Sequence, residues 1–277
     1  MFNRHTTYNI DGFIIELNKQ HKLPEFQSKF PMYDKFLPFL AESFDESNHW
    51  IIDIGANVGD TAVSIVRHTK ANILSVEPVE LFYDICIKNI KSLDSEFSSR
   101  IILERAFIAS ADQSFSGKIT DGTAVREEVV NSSVVTLSIQ QLLVKHDIQL
   151  SNLVLIKSDT DGYDYDALMS AGEILTECSP ILYYENQIDK PEQVDSFNQM
   201  VDYLLSKDYT CFYLFDNFGN YMCKTDSFGM KSVNSYLDRI NRALSARTFY
   251  YVDVMVCKDS GVSLCENAIN RYLESYR

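Results

Sequence analysis

The amino-acid sequence predicts an α/β fold of the doubly wound kind: a mostly parallel, seven-stranded sheet with helices on both faces. Three observations predict it. From Trp50 onward, short β-branched or aliphatic runs alternate with helix-like stretches, which is the pattern of a parallel sheet covered on both sides. The first of these runs, Ile51 to Ile54, passes directly into a glycine-bearing turn and then a helix. Beyond Tyr209 the alternation gives way to aromatic strands flanking Asp216-Asn217-Phe218-Gly219-Asn220, a turn-rich segment that suits an antiparallel connection at one edge.

Taken in order, the expected parallel strands are Trp50 to Ile54, Asn72 to Glu77, Ile101 to Glu104, Leu153 to Ser158 and Pro180 to Glu185. Helical spacing lies between them at Asp60 to His68, Val79 to Ile90, Ser138 to His146, Tyr163 to Glu177 and Val194 to Leu205. Tyr209 to Phe215, Tyr221 to Lys224 and Thr248 to Cys257 complete the strands. Residues 1–45 stand outside the alternation as a helical cap or extension, in which Tyr33 to Phe44 has amphipathic spacing with a kink at Pro38. The expected organisation is this extension, a main domain over 46–260 and a C-terminal helix over 261–277. There is no internal repeat and no low-complexity linker.

With 277 residues and 45% apolar content, the chain can bury a three-layer core as a single decorated domain. A formal charge of −14 argues against a nucleic-acid partner, which is normally held by Lys and Arg. The six cysteines form no C-x-x-C pair and read as reduced thiols, with neither a disulfide framework nor a zinc site. Met1 to Lys19 is broken by polar residues and no stretch is long enough to cross a bilayer. A cytoplasmic protein is expected, for which peripheral contact with a membrane stays open.

The chemistry is concentrated at Ile51-Ile52-Asp53-Ile54-Gly55-Ala56-Asn57-Val58-Gly59-Asp60. Gly55 lets the chain turn sharply, and Gly59 lets the helix start approach a ligand or the strand. A dinucleotide fingerprint would place further glycines where Asn57 and Asp60 stand, and a carboxylate at Asp60 would oppose a phosphate. Asp60 is also a good helix cap, and Asp53 at the strand tip would attract the ammonium of an amino-acid moiety. Further on, Val76-Glu77-Pro78 puts a carboxylate at the end of the second strand, where it can accept hydrogen bonds from both hydroxyls of a ribose. The features suit a nucleoside cofactor that carries an ammonium and no phosphate.

These residues resemble the FkbM-type methyltransferases, a branch of the class I S-adenosylmethionine-dependent fold. The likeness rests on Ile52 to Gly59, Val76-Glu77-Pro78, Leu155-Ile156-Lys157-Ser158-Asp159-Thr160-Asp161-Gly162 and Ile181-Leu182-Tyr183-Tyr184-Glu185, with Tyr250-Tyr251-Val252-Asp253-Val254 as the last strand. The resemblance implies a sheet in the order 3-2-1-4-5-7-6 with the last strand antiparallel, and S-adenosylmethionine as cofactor. It also implies O-methylation of a hydroxyl on a sugar, glycan or secondary metabolite. The implied cofactor set is Asp53, Gly55, Asn57, Gly59, Thr61, Glu77 and Pro78. Where the family commonly has Asp-x-Glu-Gly-x-Glu, this chain has Asp161 and Asp164 in place of the glutamates, and shorter carboxylates reach less far.

An alcohol that attacks a methyl group must lose its proton, either to a base or with help from a divalent cation such as magnesium or manganese. Period two sets Lys157, Asp159 and Asp161 toward one side if the backbone stays extended, and Glu185 closes the neighbouring strand. These four are the catalytic candidates, Asp159 first, as base or, with Asp161, as metal ligand. The competing readings are that Asp159 and Asp161 cap the helix near Tyr163 and that Lys157 is a structural ion pair. His68 and His146 read as helix-end residues, and the aromatics Tyr203 to Tyr221 as core packing. The rival functions are a catalytically silent scaffold and a nucleotide-binding oxidoreductase; Asp53, Gly55, Gly59 and Glu77 together speak against the first, because packing alone does not call for both carboxylates, and Asn57 and Asp60 against the second.

Overall fold

The computed structural model describes residues 5–110, 115–120, 123–128, 134–243 and 248–276. Its centre is one eight-stranded sheet of β1 (Trp50–Ile54), β2 (Asn72–Val76), β3 (Ile101–Glu104), β4 (Leu153–Ser158), β5 (Ile181–Gln187), β6 (Cys211–Asp216), β7 (Tyr221–Thr225) and β8 (Tyr251–Cys257). The strands lie in the order β7-β6-β8-β5-β4-β1-β2-β3. From β3 to β5 all neighbours are parallel, while β8 runs antiparallel to both β5 and β6, and β7 antiparallel to β6. The eight strand segments read from the sequence all join this one sheet, one more than the seven-stranded sheet expected. Tyr221–Thr225 joins as an edge strand because Asp216 folds the preceding turn tightly, its side chain accepting from the backbone N–H groups of Phe218 and Asn220.

The sheet is buried on both faces because its strands are apolar at consecutive positions. Ile51, Leu155, Tyr183 and Met255 pack on one face with the helices Phe36–Ala41, Asp60–Val66, Glu80–Ser92 and Val262–Glu274. Ile52, Ile156, Tyr184 and Val254 pack on the other with Ile139–Lys145, Asp164–Met169, Pro191–Ser206 and Ser227–Ala243. Three layers result, as the sequence predicts. Ile54 is level with Val76 on one side and Ser158 on the other, so the carboxyl ends of β1, β2 and β4 open on one edge where the order of strands reverses.

Several local elements differ from expectation. The helix expected over Tyr163 to Glu177 is broken into Asp164–Met169 and Ile174–Glu177, between which Gly172 takes a left-handed φ of 56°. Ser227–Ala243 is a 17-residue helix that the sequence reading left unassigned, because Ser and Asn at many positions mask its narrow buried stripe of Met230, Asn234 and Leu237. The extension is not wholly helical: His5–Ile10 and Phe13–Asn18 form a hairpin around Asp11-Gly12, both at positive φ. Leu23–Lys29 and Phe36–Ala41 follow, with Pro38 in the first turn of the second helix, where it needs no hydrogen bond, so it does not act as a kink. Arg271 donates to the Phe39 carbonyl at 2.6 Å and the Tyr272 hydroxyl to the Met32 carbonyl at 3.1 Å, which pins the extension to the last helix. All six cysteines are free, and no described helix is long and apolar enough to cross a membrane.

Candidate active site

The reversal edge opens into a cavity of about 460 Å³. Gly55, Asn57, Asp60, Thr61, Glu77 and Pro78 line one side of it, and Lys157, Asp159, Thr160, Asp161 and Glu185 the other. His21, Leu23, Phe26, Tyr33, Asp34 and Phe36 of the extension close over it.

The turn after β1 depends on its glycine. Gly55 has φ +77°, and a Cβ there would lie 1.8 Å from the Asp159 carbonyl oxygen, so only glycine lets the loops after β1 and β4 touch. Asn57, also at positive φ, donates its backbone N–H to Glu77 Oε2 at 2.8 Å, while Val79 N–H donates to Oε1 at 2.8 Å. Each Glu77 oxygen accepts one backbone bond and keeps a further lone pair. Burial pushes the Glu77 carboxyl up to about 7 in spite of these bonds. Gly59 has a different role from the expected one: it is buried outside the cavity wall, and a Cβ would meet Cys86 Sγ at 2.7 Å, so it serves the packing of two helices.

Asp53 also departs from expectation. It is fully buried, its Oδ1 lies 3.0 Å from Lys157 Nζ, and Ser75 donates to its Oδ2 at 3.4 Å. A charge neutralised beneath the turn is not available to a ligand ammonium. Asp60 is the acid that faces the cavity instead. Gly59 occupies the cap position without any side-chain cap bond, leaving the Asp60 carboxylate free of that duty. Burial raises its pKa, while His21 and Lys157 oppose the rise.

Lys157 ties the edge together. Its ammonium donates toward the carbonyls of Gly55 (3.3 Å) and Ile54 (3.5 Å) and stands 3.7 Å from Asp159 Oδ2. Burial opposes its charge, but Asp53 and Asp159 outweigh that and hold it protonated. The structural reading of Lys157 as an ion pair therefore describes its geometry. Asp159 has a side chain 51% exposed toward the cavity.

The extended backbone assumed for this run ends at Ser158, and Asp161 adopts φ +52°. Lys157, Asp159 and Asp161 still share one cavity, but by way of a tight turn completed by Gly162 rather than by strand alternation. The cap position of the following helix Asp164–Met169 is held by Tyr163 rather than by Asp159 or Asp161. Asp164 takes up the turn instead, accepting from Ser158 Oγ at 2.6 Å and Thr160 N–H at 3.4 Å. Burial and then the charge of Asp159 push Asp161 up to about 8 and Asp164 up to about 7. Glu185 is 8% exposed and raised well above the ordinary carboxylate range, first by burial and then by Asp159 and Asp161.

Among the described residues, no three His, Cys, Asp or Glu side chains converge as a metal-holding group. His68 lies 3.3 Å from Glu42 and His146 3.0 Å from Glu104 at a helix end. His21, Asp34 and Asp253 are cavity residues that the sequence reading did not place there. Asp253 carried a signal, a lone carboxylate within an apolar strand; Asp34 carried none.

The site fits a nucleoside bearing an ammonium. Glu77 retains acceptor capacity, Asn57 Oδ1 is buried without a partner, and the carboxylates disfavour phosphate. The fold and this edge define a class I α/β protein with a cavity at the carboxyl ends of β1, β2 and β4. The family is given by comparison: the profile described as the methyltransferase FkbM domain matches residues 53–211, more than half of the chain. The chain belongs to this family and is an S-adenosylmethionine-dependent methyltransferase.

No curated protein matches the chain. Solved structures with a similar fold include an O-methyltransferase from Bacillus cereus in complex with S-adenosylhomocysteine (12% identity, 85% of this chain and 88% of that one, TM-score 0.47). M. capricolum TrmK with S-adenosylhomocysteine is similar at 12% identity, 82% and 70% coverage and a TM-score of 0.42. The precorrin-6y C5,15-methyltransferase from Geobacter metallireducens is similar at 10% identity, 79% and 84% coverage and a TM-score of 0.41.

Proposed function

We propose that the protein transfers the S-adenosylmethionine methyl group to a hydroxyl of a sugar, glycan or secondary metabolite, with Asp159 as the base. One observation carries this reading. The backbone of Asp159 abuts Gly55 of the cofactor turn while its side chain opens into the same cavity, so an acid stands next to where a bound cofactor meets an acceptor.

When bound, the cofactor supplies a methyl carbon already activated by a sulfonium. Glu77 holds the ribose, Asn57 and the Gly55 turn seat the nucleoside, with Thr61 and Pro78 beside them, and Asp60 takes the amino-acid ammonium in place of Asp53. Asp53 acts through Lys157, whose fixed ammonium positions the Asp159 carboxylate. Burial raises Asp161 to about 8 and Glu185 well above the ordinary carboxylate range, and the exposed Asp159 is therefore the base assigned here. Aromatic walls at Phe26, Phe36 and Tyr251 exclude water, and holding the acceptor oxygen in line behind the methyl carbon supplies much of the rate.

The test is methyl transfer from labelled cofactor to a panel of sugars and glycan fragments by wild type and Asp159→Asn. Asn keeps the size of the side chain but cannot take a proton. Loss of at least 100-fold in turnover with cofactor affinity retained supports the assignment; a near wild-type rate on an identified acceptor moves the base elsewhere.

A further inference from the structure

The acceptor side of the cavity gathers buried carboxyl groups whose ionisation is opposed by burial and by one another. Glu185 and Asp253 are direct cross-strand partners on the antiparallel pair β5 and β8, an arrangement that like charges disfavour unless something offsets them. Both line the cavity, together with Asp34 of the extension. Glu185 is 8% exposed and its Oε2 has no hydrogen-bond partner. The nearest fixed cation, Lys157, is already held 3.0 Å from Asp53 and 3.7 Å from Asp159.

The second feature is aromatic. Tyr33, Tyr183 and Tyr251 line the same cavity, and Tyr183 and Tyr251 lie close enough to Asp253 for its charge to oppose their ionisation. Carboxylates interleaved with aromatic rings are the surroundings in which an ammonium is stabilised twice, by charge pairing and by the ring faces. A phosphate in the same place would meet acidic groups, with Lys157 already paired to Asp53 and Asp159.

Resting on the methyltransferase reading above, we propose that the acceptor is an aminated polyol, such as an amino sugar, whose ammonium is held among Asp34, Glu185 and Asp253 against the tyrosine rings. A protonated amine has no lone pair for attack. It is therefore held rather than methylated, and a neighbouring hydroxyl is left as the nucleophile.

The experiment is calorimetric titration of the protein saturated with S-adenosylhomocysteine. The probes are glucosamine and galactosamine, their N-acetyl forms, glucose, and glucose 6-phosphate. Binding of at least one amine at least tenfold tighter than its N-acetyl form, with no binding of the phosphate, is expected. Asp253→Asn should weaken the amine at least tenfold and leave S-adenosylhomocysteine affinity within twofold, and Glu185→Gln provides the same readout if the first variant does not fold. Equal or tighter binding of the N-acetyl, neutral or phosphorylated sugar overturns the proposal, as does silence of both amines on a protein that binds S-adenosylhomocysteine. Failure to bind S-adenosylhomocysteine at all overturns the methyltransferase site itself and is thereby told apart.

Discussion

Lys157→Met isolates the electrostatic joint beneath the cofactor turn. The lysine side chain is 6% exposed and that of Asp53 0%, with 3.0 Å between their charged atoms. Removing the cation leaves an uncompensated buried carboxylate, a change that typically costs about 3–5 kcal/mol. For a chain of 277 residues, with an unfolding entropy of roughly 2.1 cal/mol/K per residue, this corresponds to a fall of about 5–9 °C in Tm. The paired variant Asp53→Asn/Lys157→Met removes both charges, so it should recover most of the loss. Thermal and urea unfolding of wild type, both single variants and the double variant give the coupling energy directly. A single variant within about 1 kcal/mol of wild type, or a double variant no more stable than Lys157→Met, would refute the reasoning, because the buried pair would then carry no mutual dependence.

Stability of the cofactor-free protein should fall as pH rises from about 4 to 8. Glu77 at about 7, Asp164 at about 7 and Asp161 at about 8 keep protons in the native state that the unfolded chain has already lost, so the unfolded state binds fewer protons across that window. Melting curves at unit pH steps check the sign, and a rising profile would contradict it. Gly55→Ala should cost at least about 1–2 kcal/mol from its left-handed φ alone. The 1.8 Å approach to the Asp159 carbonyl adds to that and should displace the turn, which is measured as weakened S-adenosylhomocysteine binding in whatever protein folds. With Asp159 acting as an organic base, chelation with EDTA should leave the methyl-transfer rate unchanged; a loss restored by magnesium or manganese would count against that role.

The parallel core was legible because its signals are local. Consecutive apolar residues such as Ile51-Ile52 and Tyr183-Tyr184 give opposite-face burial, and β1, β2 and β4 stop at Gly55, Glu77 and Asp159. The cofactor edge was legible for the same reason: Gly55, Asn57, Glu77 and Pro78 act close to where they stand in the chain. What escaped depends on partners distant in sequence. Asp53 reads as a free anion until Lys157, on the neighbouring strand, is seen to neutralise it. Gly59 reads as a ligand-side glycine until Cys86 is found against it. Asp34 reaches the cavity only because the extension is anchored by Arg271 and Tyr272 at the other end of the chain. The hairpin at Asp11-Gly12 is a different kind of omission, since that dipeptide is itself a turn signal, overlooked within an extension expected to be helical.

The central claim is that one cavity holds the cofactor through Glu77 and places Asp159 beside it. Calorimetric titration of S-adenosylhomocysteine into wild type, Glu77→Ala and Asp159→Asn tests it most directly. The account predicts measurable binding to wild type, a loss of roughly 1–3 kcal/mol for Glu77→Ala from the deleted charged acceptor, and near-native affinity for Asp159→Asn. A folded Glu77→Ala protein that binds as tightly as wild type would contradict it.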